Sequence, residues 1–170
     1  ANGNAFSGSI PNFQQNPNIY YVDLSSNNFT GNIPGFTNLS NLREIRLQNN
    51  NCTSIGNPEL LTNLYKFTAQ NNDLSGSVPD FSTCPQLRQL SLNNNLFTSY
   101  TSGSFATLTR INFIDLSNCK LNQTAQNAII DDLKLSYDNG NRSRLVINLR
   151  GNSKVDNPNA LIEPSTAAKK

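Results

Sequence analysis

The chain contains no histidine, tryptophan or methionine among its 170 residues. Without histidine, a Ser–His or Cys–His nucleophile and a histidine-ligated metal site are excluded within this chain. Its glycines stand singly and form no phosphate-binding loop. The one adjacent acidic pair, Asp131 and Asp132, would point about 100° apart on a helix, so we interpret both as solvated helix-surface residues. We therefore predict a chain that is not an enzyme and holds neither metal nor cofactor.

Charge and long apolar runs are also scarce. Charged residues make up 14% of the chain, and its net charge at neutral pH is +2. Because no basic cluster appears beyond Lys169 and Lys170, we expect no nucleic-acid partner. No apolar run approaches the roughly 18–20 residues that span a bilayer, so we expect no membrane insertion.

Asparagine, by contrast, is abundant, with 30 residues in 170. One column of residues recurs along the chain at steps of 23, 23, 22, 23 and 24, and a block of the form apolar-x-x-apolar-x-apolar-x-x precedes each member from the second to the last. Ile19, Val22 and Leu24 before Asn27 form one such block. The period and the pattern match the leucine-rich repeat. The column consists of Asn4, Asn27, Asn50, Asn72, Asn95 and Cys119.

The repeat predicts the fold. Apolar residues alternate with a period of two just before each column residue, which indicates a short strand. The resemblance implies an α/β fold: a right-handed leucine-rich-repeat solenoid with a parallel concave sheet and an irregular or 3-10 convex side. The column residues would form a structural ladder that satisfies backbone groups of the bend. Two further columns are expected in the core: Phe6, Phe29, Cys52, Leu74, Phe97 and Leu121, and Phe13, Phe36, Phe81 and Phe105.

Past Leu121 the period changes to that of a helix. Ala125, Ala128, Ile129 and Leu133 would share one helical face, with Asn122 or Thr124 as the cap. A turn is predicted at residues 138–141, followed by a terminal strand within residues 144–152. This would be the one α-helix of the chain, near its C-terminus.

We predict a single domain spanning residues 1–170. The repeats would cover about residues 1–18, 19–41, 42–63, 64–86, 87–110 and 111–143, with a terminal strand at 144–152 and a tail at 153–170. Natural solenoids cap their ends, whereas this chain opens inside a repeat. We therefore expect a fragment that is truncated at both ends.

Two resemblances refine this prediction. The segments that end in Ile10-Pro11, Ile33-Pro34 and Val78-Pro79 resemble the plant-type subclass of leucine-rich repeats, which implies a second, small sheet beside the first bend. The C-terminal third is similar to leucine-rich repeat domains of bacteriophage virion proteins, chiefly tail-fibre or adhesin-like ones. This similarity is carried by residues 101–107, 111–121, 125–133 and 144–168, and it implies display on a virion surface.

The three cysteines fall in separate turns. Cys52, Cys84 and Cys119 all occupy inward positions, so we predict buried thiols rather than disulfides. Such thiols fit assembly in a reducing cytosol. The paired-cysteine caps of secreted plant-type repeat proteins are absent from the sequence, which disfavours a plant ectodomain.

The outward residues of the strands form the candidate binding face. Asp23 should stand beside Arg46, and Glu44 beside Lys66, as cross-strand charge pairs; one interpretation is that these pairs only relieve repulsion on an exposed sheet. The functional interpretation adds aromatic residues among the arginines, a composition typical of binding hot spots. The predicted ligand-binding residues are Tyr20, Tyr21, Arg43, Arg46, Tyr65, Lys66, Arg88 and Phe113.

Three functions follow from these observations. The first is a recognition module on a virion surface or tail fibre, in an extracellular setting, that binds a host surface protein or glycan. The second is a structural decoration or fibre subunit that contacts other virion proteins or forms a homo-oligomer through regions beyond this chain. The third is a plant-type receptor or inhibitor ectodomain.

Overall fold

The computed structural model describes residues 2–140 and 144–152, which form a solenoid of stacked turns followed by a helix and a final strand. The strands and the helix follow the chain in this order: β1 (Ser7–Ser9), β2 (Tyr21–Asp23), β3 (Asn28–Ile33), β4 (Glu44–Arg46), β5 (Asn51–Ile55), β6 (Lys66–Thr68), β7 (Ser75–Ser77), β8 (Gln89–Ser91), β9 (Leu96–Ser99), β10 (Phe113–Asp115), α1 (Gln123–Asn139) and β11 (Val146–Asn148).

Three sheets run along the solenoid. The concave sheet has six parallel strands in the order β11-β10-β8-β6-β4-β2, so each turn of the repeat contributes one strand. Beside the first bend, β1, β3 and β5 form a second sheet, and β7 pairs with β9 in a third. The predicted parallel solenoid is therefore confirmed, as is the additional sheet implied by the plant-type bends. The convex connections are turns and bends, and the described residues contain no 3-10 helix.

The apolar columns form one continuous core. Phe36, Phe67, Phe81, Phe97 and Phe105 are at most 1% exposed. Burying each of these rings stabilises the fold by about 1.5–3 kcal/mol.

The first turn departs from the predicted core. Phe6 is 52% exposed, so its assignment to the core is wrong. Its ring stacks on Phe29 at a centroid distance of 6.5 Å, and no turn of the described chain covers its other face. Phe13, the first member of the second column, is half-buried and stacks on Phe36.

The asparagine ladder has the predicted geometry. Asn50 shows the pattern: its Oδ1 accepts the amide of Phe29 at 3.0 Å, and its Nδ2 donates to the carbonyls of Leu24 and Leu47 at 3.0 and 3.1 Å. Each carboxamide thereby joins its own bend to the preceding turn. The same cross-turn bonds are made by Asn72, Asn95 and, at the end of the described chain, Asn152. Asn27 accepts the amide of Phe6 from the preceding turn and donates to the carbonyls of Leu24 and Ser25 in its own turn.

The two ends of the predicted column differ from its middle. Asn4 is exposed and donates to the carbonyl of Asn2 at 2.8 Å, a bond within its own turn. Cys119 is buried, and its Sγ lies 3.5 Å from the carbonyl oxygen of Leu92, where the Nδ2 of an asparagine would donate. The thiol thus replaces the donor of the carboxamide, although it is a weaker one.

A second column of asparagines, which the sequence analysis did not single out, lies one residue before the buried one. Its members have backbone φ angles of 51° to 61°, in the left-handed region that asparagine tolerates better than other side chains do. Each Nδ2 donates to the side chain of the preceding turn at 2.7 to 3.2 Å. We call this exposed set the outer asparagine column: Asn49, Asn71, Asn94 and Asn118.

Helix α1 packs against the last turns of the solenoid. Asn122 caps it, since its Oδ1 accepts the amide of Ala125 at 2.9 Å. Ala125, Ile129 and Leu133 are buried as predicted, whereas Ala128 is partly exposed. The helix continues through Asn139, so the turn predicted at residues 138–141 is wrong at Asp138 and Asn139, whereas the chain bends at Gly140. Residue 141 and the predicted tail lie outside the described residues.

Asp132 contradicts the prediction that both adjacent acidic residues are solvated. Asp131 is exposed and lies 3.8 Å from the ammonium of Lys134. Asp132 is only 7% exposed, and its Oδ2 accepts hydrogen bonds from the Tyr100 hydroxyl and from the Gly103 amide, at 2.5 and 2.7 Å. The carboxylate therefore fastens the helix to the loop after β9.

Candidate ligand-binding groove on the concave sheet

Tyrosine and arginine alternate in a column at the entrance of the concave strands. The amide of Tyr65 donates to the carbonyl of Arg43 at 2.8 Å, and the amide of Arg88 donates to that of Tyr65 at 2.9 Å. Arg43 is bonded to Tyr20 in the same way. Neighbouring backbones in such a ladder are about 4.7–4.9 Å apart. We call Tyr20, Arg43, Tyr65 and Arg88 the Tyr–Arg column.

An open groove of about 640 Å³ follows this column across the middle of the sheet. Its walls come from four successive turns, because the same positions of the repeat face the same side of the solenoid. The lining residues are Arg43, Glu44, Arg46, Asn63, Tyr65, Lys66, Gln86, Arg88, Gln89 and Asn112.

Glu44 is the centre of the charge network in the groove. It is 7% exposed, and its carboxylate lies 2.6 Å from Nε of Arg46 and 3.4 Å from Nζ of Lys66. The Tyr65 hydroxyl donates to the same carboxylate at 2.9 Å, which fixes the ring over the groove. Burial by itself would raise the pKa of Glu44, but the hydrogen bonds from Arg46 and Tyr65 and the nearby cations outweigh it and lower that pKa.

A second carboxylate, that of Asp23, organises the first rung of the concave sheet. A rung is one strand of this sheet together with the residue directly before it, and the first rung contains β2. The Asp23 carboxylate accepts from the Tyr21 hydroxyl at 2.9 Å and from the Ser25 hydroxyl at 2.6 Å, and it lies 4.0 Å from a guanidinium nitrogen of Arg46. The same guanidinium stands 5.5 Å from the centre of the Tyr21 ring. Both predicted cross-strand charge pairs, Asp23–Arg46 and Glu44–Lys66, are therefore present.

Arg43 and Arg88 are the cations that these carboxylates leave uncompensated. Both side chains are exposed, and neither has a carboxylate oxygen within 4.0 Å among residues 2–140 and 144–152. They stand on either side of Tyr65 in the column. An arginine fork without an internal partner can bind a carboxylate of a ligand in a bidentate manner.

The structure groups some predicted site residues and separates others. Arg43, Arg46, Tyr65, Lys66 and Arg88 line the groove. Tyr20, which is 68% exposed, lines an adjoining hollow of about 390 Å³ together with Arg43.

Two predicted residues lie outside the groove lining. Tyr21 stands over Arg46 on the first rung. Phe113 is half-buried in β10, directly after the groove residue Asn112, and pairs with Gln89 and Val146. Their roles in ligand binding stay predictions.

Four amide side chains in the groove were not predicted as site residues. Asn63, Gln86 and Asn112 precede strands β6, β8 and β10, and Gln89 is the first residue of β8. Repeat position is the signal that could have identified two of them: Gln86 lies 23 residues after Asn63, and Asn112 follows Arg88 at the next step of 24. They offer both donors and acceptors to a bound chain.

The remaining reactive groups are poorly placed for chemistry. Burial raises the pKa of Cys52 to about 11, of Cys84 to about 12 and of Cys119 to about 11, so the three free thiols stay protonated at neutral pH. In the part of the chain that the structure describes, no group of three or more Cys, Asp and Glu side chains could hold a metal ion. Among the same residues, no helix combines the length and apolar character that crossing a membrane requires.

Comparisons with known proteins place the fold. The family model described as Leucine Rich Repeat matches residues 18–39. A search of curated proteins found no match. The solved structure of the leucine-rich repeat protein LIC12759 from Leptospira interrogans is 24% identical with a TM-score of 0.66, over 75% of this chain and 33% of that one.

Two receptor structures are also similar. A TDR receptor is 27% identical with a TM-score of 0.61, over 68% of this chain and 21% of that one. The ectodomain of the plant membrane receptor kinase GASSHO1/SCHENGEN3 from Arabidopsis thaliana, in complex with CASPARIAN STRIP INTEGRITY FACTOR 2, is 20% identical with a TM-score of 0.62, over 89% of this chain and 20% of that one.

These comparisons show a leucine-rich-repeat solenoid. The chain spans a third or less of the length of the three proteins named above. The relation to bacteriophage virion proteins stays a prediction.

Proposed function

We propose that this chain is a protein-recognition module that binds an extended segment of a partner protein in its concave groove. One observation carries the proposal: Arg43 and Arg88 are exposed without a carboxylate partner among the described residues, on either side of a Tyr65 ring that Glu44 holds in place. Because Glu44 holds the Tyr65 ring, that ring loses little side-chain entropy when a ligand arrives, and the two guanidinium groups beside it can pair with charges of the ligand.

The module acts by binding rather than by catalysis. The chain has no histidine, and its three thiols are buried with raised pKa values. The groove is lined by arginine, lysine, tyrosine and amide side chains, with one carboxylate, Glu44, that is already engaged by Arg46 and Lys66. Such a lining supplies hydrogen bonds and charge to a ligand.

We further propose that the module is displayed on an exterior surface. Two settings fit this proposal. The resemblance of the C-terminal third to tail-fibre and adhesin-like repeats supports a virion, on which the partner is a host surface protein or glycan. The receptor ectodomains among the similar structures support a receptor setting instead, with a peptide or protein partner. Antibodies against the chain should label intact particles in the first setting and the surface of cells in the second.

A library of displayed twelve-residue peptides, selected on the immobilised chain, tests the binding proposal. We expect selected peptides to lose most of their affinity for a Tyr65→Ala/Arg88→Gln variant, because both changes remove contacts in the groove. Lys120→Gln is the matched control, since it removes an exposed cation from a position after the concave strand β10.

Thermal unfolding should show that both variants are folded. The binding proposal fails if the selected peptides bind the groove variant as tightly as the unmodified chain. A panel of immobilised glycans, probed with the same variants, tests the glycan partner separately.

A further inference from the structure

We infer that the groove accepts an acidic segment in the polyproline II conformation, with two carboxylates three residues apart. This inference rests on the function proposed above and specifies the partner. It follows from the spacing, charge and polarity of residues in the Tyr–Arg column and its neighbours.

The spacing of Arg43 and Arg88 selects the conformation of the ligand. Arg43 and Arg88 are two rungs apart, because the backbone of Tyr65 is hydrogen-bonded to the backbones of both. Their backbones are therefore separated by about 9.4–9.8 Å. In a polyproline II helix, residues three apart lie on the same face and are separated by about 9.3 Å. In a β-strand, residues on one face are separated by about 7 Å or about 13 Å, and neither distance matches.

The positive charge of Arg43 and Arg88 favours an acidic ligand side chain opposite each of them. Arg46 and Lys66 are already engaged by Glu44, and Arg46 also lies near Asp23. Arg43 and Arg88 have no such partner among the described residues, so a bound carboxylate at each would complete the pairing. The planar fork of arginine fits a carboxylate better than a point charge does.

Aromatic rings select the residues between the two acids. Tyr65 stands between Arg43 and Arg88, and Tyr20 stands on the other side of Arg43. Polyproline II segments dock on aromatic-lined grooves, in which proline rings pack against the aromatic faces. Because the Tyr65 hydroxyl is held by Glu44, its ring is in place before the ligand arrives. Proline is therefore expected between the two acids.

Amide side chains fit the backbone of such a ligand. A polyproline II helix makes no internal hydrogen bonds, so its carbonyls and amides need partners when water is displaced. Asn63, Gln86, Gln89 and Asn112 line the same groove and can both donate and accept. The groove thus matches the polar needs of this conformation as well as its spacing.

Synthetic peptides with defined spacing test the inference. Fluorescence anisotropy would compare the cores Asp-Pro-Asp, Asp-Pro-Pro-Asp and Asp-Pro-Pro-Pro-Asp, each flanked by glycine and serine, acetylated and amidated so that only the side chains carry charge. We expect Asp-Pro-Pro-Asp to bind roughly tenfold more tightly than the other two, because it alone reaches both arginines. Asp-Gly-Gly-Asp should bind more weakly than Asp-Pro-Pro-Asp, because its backbone is not preorganised.

Variants identify the two carboxylate sites. Arg43→Gln and Arg88→Gln should each weaken binding of Asp-Pro-Pro-Asp roughly tenfold, and each should abolish the preference for Asp over Asn at one end of the core. Lys120→Gln is the control and should bind like the unmodified chain.

Three results would overturn the inference. The first is equal affinity for all spacings, and the second is the absence of binding by every peptide in the panel. The third is tight binding of dextran sulfate while Asp-Pro-Pro-Asp does not compete for it, which would indicate a polyanion site instead. Library-selected peptides that still require Tyr65 and Arg88 would leave the proposed function standing in each case.

Discussion

The Oδ1 atom of Asn72 accepts the backbone amide of Cys52, 3.0 Å away and one turn earlier in the solenoid. The Nδ2 atom of the same side chain donates to the carbonyls of Leu47 and Ala69 at 3.1 and 3.2 Å. One buried carboxamide therefore satisfies three backbone groups in two consecutive turns. This relationship is repeated along the solenoid and holds its bends together.

Replacing Asn72 with leucine should destabilise the protein by about 1–3 kcal/mol, because Leu fills the space but leaves buried backbone groups without partners. Urea-induced unfolding measures the change in the free energy of unfolding. Asn127→Leu is the control: Asn127 is exposed on α1, and its change should stay within about 0.5 kcal/mol. Equal stability of the Asn72 variant and the unmodified chain would count against the ladder.

Two variants in the outer asparagine column can isolate the energetic cost of the left-handed backbone conformation. Asn94 has a φ of 55°, and its carboxamide bonds to Asn71 and Asn118. Asn94→Gly loses these exposed bonds but keeps the backbone relaxed, whereas Asn94→Ala also places a Cβ in the left-handed region. We expect the alanine variant to be less stable than the glycine variant by about 1 kcal/mol in chemical unfolding. The reverse order would show that the left-handed conformation costs alanine less than the extra entropy of glycine in the unfolded chain.

The buried carboxylate of Asp132 should be essential for docking of α1. Asp132→Ala leaves the Tyr100 hydroxyl and the amides of Gly103 and Phe105 without their acceptor. We expect a loss of about 2–4 kcal/mol, measured by thermal or urea unfolding. Asp131→Ala removes only an exposed ion pair with Lys134 and should cost less than about 0.5 kcal/mol. Similar losses for the two variants would contradict the fastening role.

Because its three thiols are buried, we expect the protein to lose stability at alkaline pH. Burial raises the pKa of Cys52 and Cys119 to about 11 and that of Cys84 to about 12, whereas a thiol in the unfolded chain has a pKa of about 8.5. The unfolded chain therefore releases these protons first. The contribution of the three thiols to the free energy of unfolding is fully present below about pH 8.5 and decreases as the pH rises toward the folded-state pKa values.

Urea unfolding at about pH 8 and about pH 10 would measure this loss. A Cys52→Ala/Cys119→Ala variant is the control and should lose less stability over the same interval, because two of the three linked groups are absent. If the variant and the unmodified chain show the same pH dependence, the thiols are not responsible.

Much of the fold could be predicted because each turn repeats the same local pattern. The block before Asn50 predicts β4, its inward apolar residues and the ladder bond at once, since successive turns pack in the same way. The exposure of Phe6 could not be read from its column position, because burial depends on whether another turn covers it. The outer asparagine column was missed because its positive φ angles are a property of the bend.

In the candidate site, too, some contacts could be predicted from the sequence and others could not. The period of the repeat predicted that Asp23 faces Arg46 and that Glu44 faces Lys66, because parallel strands align equivalent positions. It did not predict that Glu44 also holds Arg46 and Tyr65, since those bonds depend on side-chain rotamers. That Arg43 and Arg88 have no carboxylate partner among the described residues became apparent only from that pairing.

The sequence by itself determined the solenoid, the register of its concave strands and the buried asparagine ladder. These features follow from a period of about 23 residues, because each turn needs only its neighbours. The tertiary structure alone decided that Glu44 also engages Arg46 and Tyr65, and that Asp132 is buried. Tyr100 and Asp132 are 32 residues apart in the chain, and their contact depends on how α1 packs against the last turns. No local pattern encodes a contact of that kind.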